Sequence, residues 1–318
     1  MKKLSEKKLK RRAIKKQIRG FGWTLNVQQL VLQLVVLAYA IGGAIAVFQS
    51  GGTQTRYNHV IDLIQANGMP MIFAVLIAFI PVLIYRQKKF FTYDLATHRR
   101  KLTVKVFLIA LLIVLGVNTV LGLLRFPVEA LLNLIGFTDK PSTDVLKGSD
   151  NVSMFVYGCL IAPIFEESLY RGVILRSLER FGSFFAISAS ALLFALMHEN
   201  IIQFPYALGI GLIFGYLAKA YSIKLTILLH MANNILSEVF SDFVPNAGLW
   251  GNLLNLAFSI VPVLAAIGLI WYYRRAIRDW FRRHRPNKLV FISFFTSCPI
   301  LILVLSNIVM MLLGIEKK

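Results

Sequence analysis

Apolar residues run along this chain in nine stretches, at positions 29–48, 69–85, 104–124, 153–170, 183–198, 203–221, 224–240, 252–272 and 289–314, with short polar segments between them. A helix needs roughly 17–25 such residues to cross a hydrocarbon layer about 30 Å thick. The pattern predicts an all-α, polytopic transmembrane helix bundle of about eight to nine spans. The second, fifth and seventh stretches are the short ones, and their boundaries are soft.

Composition supports this expectation, because 57% hydrophobic and 16% charged residues, with a mean hydropathy of +0.67, are more apolar than a soluble domain of 318 residues requires. The net charge of +20 changes the picture only through its distribution. Lys and Arg cluster at 2–19, 86–105, 171–180, at Lys219 and Lys224, and at 274–288, in alternate inter-span segments. The segments 49–68, 125–152 and 238–251 carry few of them and most of the acids. Basic segments stay on the cytoplasmic side, so the N-terminus is expected in the cytoplasm and the C-terminus outside. Such blocks attract anionic lipid headgroups, and no nucleic-acid partner is expected.

The first apolar run is long enough to span and lacks a convincing small-residue cleavage site, so it is expected to remain as a helix. Cys159 and Cys298 both fall in apolar stretches, where packed thiols are expected rather than a disulfide or a metal pair. The organisation reads as a basic segment 1–28, N-terminal spans 29–152, a polar-bearing core 153–243 and C-terminal spans 244–318. No internal repeat is evident, which disfavours a transporter built from two related halves.

The chemistry-bearing residues concentrate in 153–243. Adjacent glutamates, Glu166 and Glu167, stand inside an apolar run and are followed by Arg171. A carboxylate at bilayer depth costs at least about 2.5–3.5 kcal/mol, so two together need compensation or a function. On a helix, Glu167 and Arg171 share a face at i,i+4 in the favourable order, whereas Glu166 points about 100° away without a local partner. His198 closes the fifth stretch, and His230 and Asn234 lie at i,i+4 in the seventh. One carboxylate, two imidazoles and a carboxamide from three helices could activate water and hydrogen-bond a developing oxyanion, the parts that amide hydrolysis needs.

The same Glu166, His198 and His230 could instead ligate zinc with an open position for water. No HExxH or other compact zinc signature is present. A firmly held zinc also wants the second ring nitrogen of each histidine fixed by a carboxylate or carbonyl. Glu199 is next to His198 but should point elsewhere, and no acid lies within a helical turn of His230, so a weakly held or absent metal is expected. Depth arithmetic on straight helices puts His198 about 22 Å and His230 about 9 Å from the basic ends of their spans, a mismatch that tilt or a broken helix near Pro205 would have to remove.

Glu166-Glu167-x-x-x-Arg171, Phe194-x-x-x-His198 and His230-x-x-x-Asn234, in this order on successive apolar segments, resemble the motifs of the CPBP family of intramembrane proteases, which includes CAAX prenyl endopeptidases and bacterial relatives linked to bacteriocin immunity. The resemblance covers about residues 153–236. It implies proteolysis within a cell membrane, with Glu166 activating water, His198 assisting, His230 and Asn234 stabilising the oxyanion, and Glu167 and Arg171 as supports. The implied substrate is a membrane-embedded protein or peptide, and a bacterial relative is the closer match in character. The competing reading is a non-catalytic membrane protein, an immunity factor or scaffold, that keeps the polar cluster to hold helices together.

Overall fold

Each of the nine apolar stretches forms helix in the computed structural model, which describes residues 2–49, 53, 67–96, 100–139, 151–240 and 248–317. Among the described residues the architecture is all-α apart from one short antiparallel pairing, Phe137–Thr138 (β1) with Glu316–Lys317 (β2). Residues 50–52, 54–66, 140–150 and 241–247, which belong to the basic-poor segments used to orient the spans, lie outside the described residues.

The first helix, α1 (Lys2–Gln49), is far longer than the expected span. At 1.5 Å per residue it reaches about 72 Å, so the basic segment and the apolar stretch form one continuous rod. Leu30, Leu34, Leu37 and Ile41 all stand exposed along one side of it, the face a lipid layer would cover. Its inner side packs on α2 (Met69–Arg86) and on α11 (Cys298–Leu313). Gly22 allows the approach to α11, since a Cβ there would lie 2.9 Å from a ring carbon of Pro299.

A π-helical turn (Phe90–Asp94) follows α2, then α3 (Val104–Gly122), whose start is capped by the Thr103 hydroxyl accepting from the Val106 N–H at 3.3 Å. The short α4 (Arg125–Leu134) comes next. The fourth stretch is α5 (Val152–Phe181), a helix interrupted by two π segments, Tyr157–Ile161 and Ser168–Ile174. A π segment inserts an extra residue and so rotates everything after it about the axis, and such segments concentrate at functional sites.

Three helices fill the middle of the bundle: α6 (Ser183–Met197), α7 (Gln203–Ala220) and α8 (Ile223–Glu238). The α6–α7 pair packs through small residues, and a Cβ on Gly211 would come within 3.1 Å of the Ala191 backbone. The long α9 (Gly248–Arg283) packs on α3, where Gly116 meets the Pro262 carbonyl so closely that a Cβ would sit 2.3 Å from its oxygen. The ninth stretch is not one straight span: α10 (Lys288–Phe295) and α11 meet at a bend of 70°.

Five helices among the described residues are long and apolar enough to cross a membrane, or six if the α10–α11 pair is one span. The expected eight to nine is reached only by including α6, α7 and α8, which fall short in length or apolarity. Their place explains the shortfall. Packed among other helices, they need neither the length nor the uniform apolar surface that lipid contact demands.

Candidate active site

The site is built on α5 between its two π segments. Glu166 and Glu167 close the α-helical turn Ala162–Glu167, and Arg171 lies in the π segment that follows. Glu167 and Arg171 are wholly buried and paired, with Glu167 Oε1 2.9 Å from Arg171 Nη1. The guanidinium is further accommodated by aromatic faces, its carbon lying 4.2 Å from the Phe194 ring centre on α6 and 5.4 Å from that of Phe214 on α7. Arg171 therefore binds three helices together at one point.

Glu167 has a second partner that its neighbours in sequence do not disclose. Its Oε1 also accepts from His230 Nδ1 of α8 at 3.2 Å. This corrects the expectation that no acid is available to order His230, because a helical-turn search cannot find a carboxylate supplied by another helix. An ionised Glu167 fixes the His230 proton on Nδ1, and the other ring nitrogen, Nε2, lies 3.9 Å from Glu166 Oε2. That gap is too long for a direct hydrogen bond and suits a bridging water.

Glu166 differs from Glu167 in exposure: its side chain is 19% exposed, against 0% for Glu167. His198 follows the last residue of α6, and its Nδ1 is held 2.8 Å from the Phe194 carbonyl oxygen, which can only accept. Its Nε2 is thus the nitrogen left for chemistry. The Phe194 ring stands edge-on to both histidines, with centroid separations of 4.9 Å to His198 and 6.0 Å to His230. The two histidines meet about Phe194 although straight-helix arithmetic set them at different distances from the basic ends of their spans.

Glu199 turns away from the cluster, as its adjacency to His198 implies. It adopts a left-handed backbone conformation (φ 50°) and accepts from Gln29 Nε2 of α1 at 2.9 Å. Asn234 lies one turn beyond His230 and donates to the Gly158 carbonyl of the first π segment at 2.9 Å. Its carboxamide oxygen accepts from Asn233 at 3.2 Å, and Asn233 in turn accepts from Asn118 of α3 at 3.4 Å. The structure thus gathers Glu166, Glu167, Arg171, His198 and His230 about Phe194, and ties Asn234 to the α5 backbone.

Sequence reasoning had no means of finding Phe214, Asn118 or the Gly158 carbonyl, whose contacts at the site join different helices. Phe194 was present in its motif four residues before His198, and its ring meets the His198 ring. Among the described residues no group of three or more His, Cys, Asp and Glu stands in an arrangement that could hold a metal ion. The second nitrogens of both histidines are nevertheless ordered, by a carboxylate and by a carbonyl, as in metal-ligating histidines.

Residues 148–236 match the family model described as Type II CAAX prenyl endopeptidase Rce1-like. No curated protein and no solved structure matches the chain. The matched region takes in α5 to α8 and all seven motif residues. Through these residues the chain, whose several apolar helices mark a multi-pass membrane protein, is similar to the CPBP family of CAAX-type intramembrane proteases.

Proposed function

We propose that this protein is an intramembrane endopeptidase of a cell membrane, with its N-terminus in the cytoplasm, that hydrolyses a peptide bond of a membrane-embedded protein or peptide. The observation that carries the reading is the approach of Glu166 Oε2 to His230 Nε2 across 3.9 Å, with the opposite ring nitrogen of His230 held by Glu167. Two acidic residues on adjacent positions thereby have different work.

Glu166, the more exposed carboxylate, takes a proton from water, and His198 accepts a hydrogen bond from the same water through Nε2. The hydroxide adds to the scissile carbonyl. His230, oriented through Nδ1 by Glu167, faces the oxyanion with Nε2 and stabilises it. Asn234 has a second amide N–H beyond the one given to Gly158, and it serves the same oxyanion. The proton on Glu166 then passes to the leaving amine.

A zinc-dependent reaction is the second reading, favoured by the ordered Nδ1 atoms of both histidines. Glu166, His198 and His230 would hold the ion, which would supply an acidified water, and Glu167 would orient one ligand. Glu167 and the Phe194 carbonyl fix both imidazoles in either case.

The test is a comparison of membrane peptides and new N-termini in cells carrying the wild type or Glu166→Gln. A cleaved product confined to the wild type, with its uncut precursor accumulating in the variant, is expected. Identical profiles at equal protein levels would favour the immunity or scaffold reading.

A further inference from the structure

A second polar site lies at the far end of α5 from the glutamates, beyond the catalytic reading. There a cavity of about 320 Å³ opens between the basic half of α1, the end of α2, the π turn Phe90–Asp94 and the last turn of α5. Arg86, Lys89, Arg176 and Arg180 all line it. Two acids lie close by, and both are engaged. Asp94 is wholly buried and takes the Arg86 guanidinium in a bidentate pair, with Nε at 2.6 Å from Oδ2. Glu179 gives one oxygen to Arg176 at 2.8 Å and the other to Lys219 at 3.1 Å.

Lys89 and Arg180 are in no ion pair among the described residues, so the cavity keeps an excess of positive charge. Its deepest cation is also rigidly set: the Arg176 side chain is only 10% exposed and stacks on the Tyr93 ring at 4.5 Å. Arg176 Nε and the neighbouring Ser177 hydroxyl are both enclosed without a hydrogen-bond partner.

We infer that this cavity binds a phosphate-bearing anion. A fixed guanidinium and two cations that form no ion pair among the described residues, around one concave space, suit the several acceptor oxygens of a phosphate ester. Basic pockets between helices at the polar edge of a membrane recognise headgroups in this way. The site is separate from the glutamate cluster, with Arg176 about 15 Å along α5 from Glu166.

The test uses the full-length protein in phosphatidylcholine nanodiscs, with phosphatidic acid or phosphatidylglycerol titrated in and bound lipid read by native mass spectrometry. The exposed pair Lys89→Gln and Arg180→Gln is compared with Lys101→Gln and Arg278→Gln, equal charge changes outside the cavity. Each cavity charge removed should weaken binding about fivefold, and the pair roughly 25-fold, whereas the outer pair should lose less than about fivefold. A parallel arm adds inorganic phosphate: displacement of the lipid identifies free phosphate as an occupant, and retention assigns the site to the lipid headgroup. Equal losses for both pairs, or no preference for either anionic lipid over phosphatidylcholine, would overturn the proposal.

Discussion

Helices α1 and α9 carry long apolar runs, and their span windows are only 6% and 11% buried within the protein. Helices α6 and α8 are shorter, at 15 and 16 residues, yet α6 is enclosed on every side and α8 buries Thr226, Leu229, His230 and Asn233. The outer helices are written for lipid, whose tails reward any apolar side chain. The inner ones are written for one another. Hydropathy therefore finds the helices that shield the site more readily than those that build it.

The contrast is broken most severely at the Glu167–Arg171 pair. Either Glu167→Gln or Arg171→Met alone should destabilise the protein by about 3–5 kcal/mol, because the remaining charge is stranded in the core. Folded yield after detergent extraction would show this, and replacement of both by Met should recover much of the yield without activity, since His230 has lost its carboxylate. Normal accumulation of either single variant would argue that the pair is not a structural anchor.

Apolar packing gives the next effect. Leu225→Ala, at a wholly buried position between α3, α7 and α8, should cost about 2–5 kcal/mol. Leu264→Ala on the exposed side of α9, 63% exposed, should stay within about 0.5 kcal/mol. Denaturant titration in one detergent measures both, and similar losses would erase the distinction between inner and outer helices.

Gly116→Ala sharpens the boundary between them, because its Cβ would meet the Pro262 carbonyl oxygen at 2.3 Å. A loss of about 1–3 kcal/mol is expected as α3 and α9 part. Cysteine cross-linking across that contact would read the separation, and an unchanged cross-link would show that the close approach is dispensable. Among the inner helix contacts the smallest effect belongs to Asn118→Ala, which removes one interhelical hydrogen bond to Asn233, worth about 0.6 kcal/mol in membranes. A shift in thermal midpoint as large as that of Leu225→Ala would mean that the asparagine string does more than tie helices.

Much of this was legible in the sequence wherever one helix carries both partners. The i,i+4 rule joined Glu167 to Arg171, and apolar runs located all nine helical stretches. Contacts between helices were not legible: the His230–Glu167 bond joins residues 63 positions apart, and the Asn118–Asn233 bond joins residues 115 apart. The π segments of α5 were also hidden, since no spacing in the run marks them. The length of α1 escaped because Lys and Arg are good helix formers, and charge ended the apolar stretch without ending the helix.

The central claim is that Glu166, and not its buried neighbour, activates the attacking water. It is tested most directly by purified protein in proteoliposomes, cleaving the peptide identified from cells, with wild type and Glu166→Gln compared at matched folded amounts and with zinc content measured. The account predicts that the variant loses at least about a hundredfold in kcat/KM, and that the wild type turns over unchanged in chelator with well under one zinc per chain. Cleavage by Glu166→Gln at the wild-type rate would contradict it, and a chelation loss reversed by zinc would transfer Glu166, His198 and His230 to the coordination of a metal.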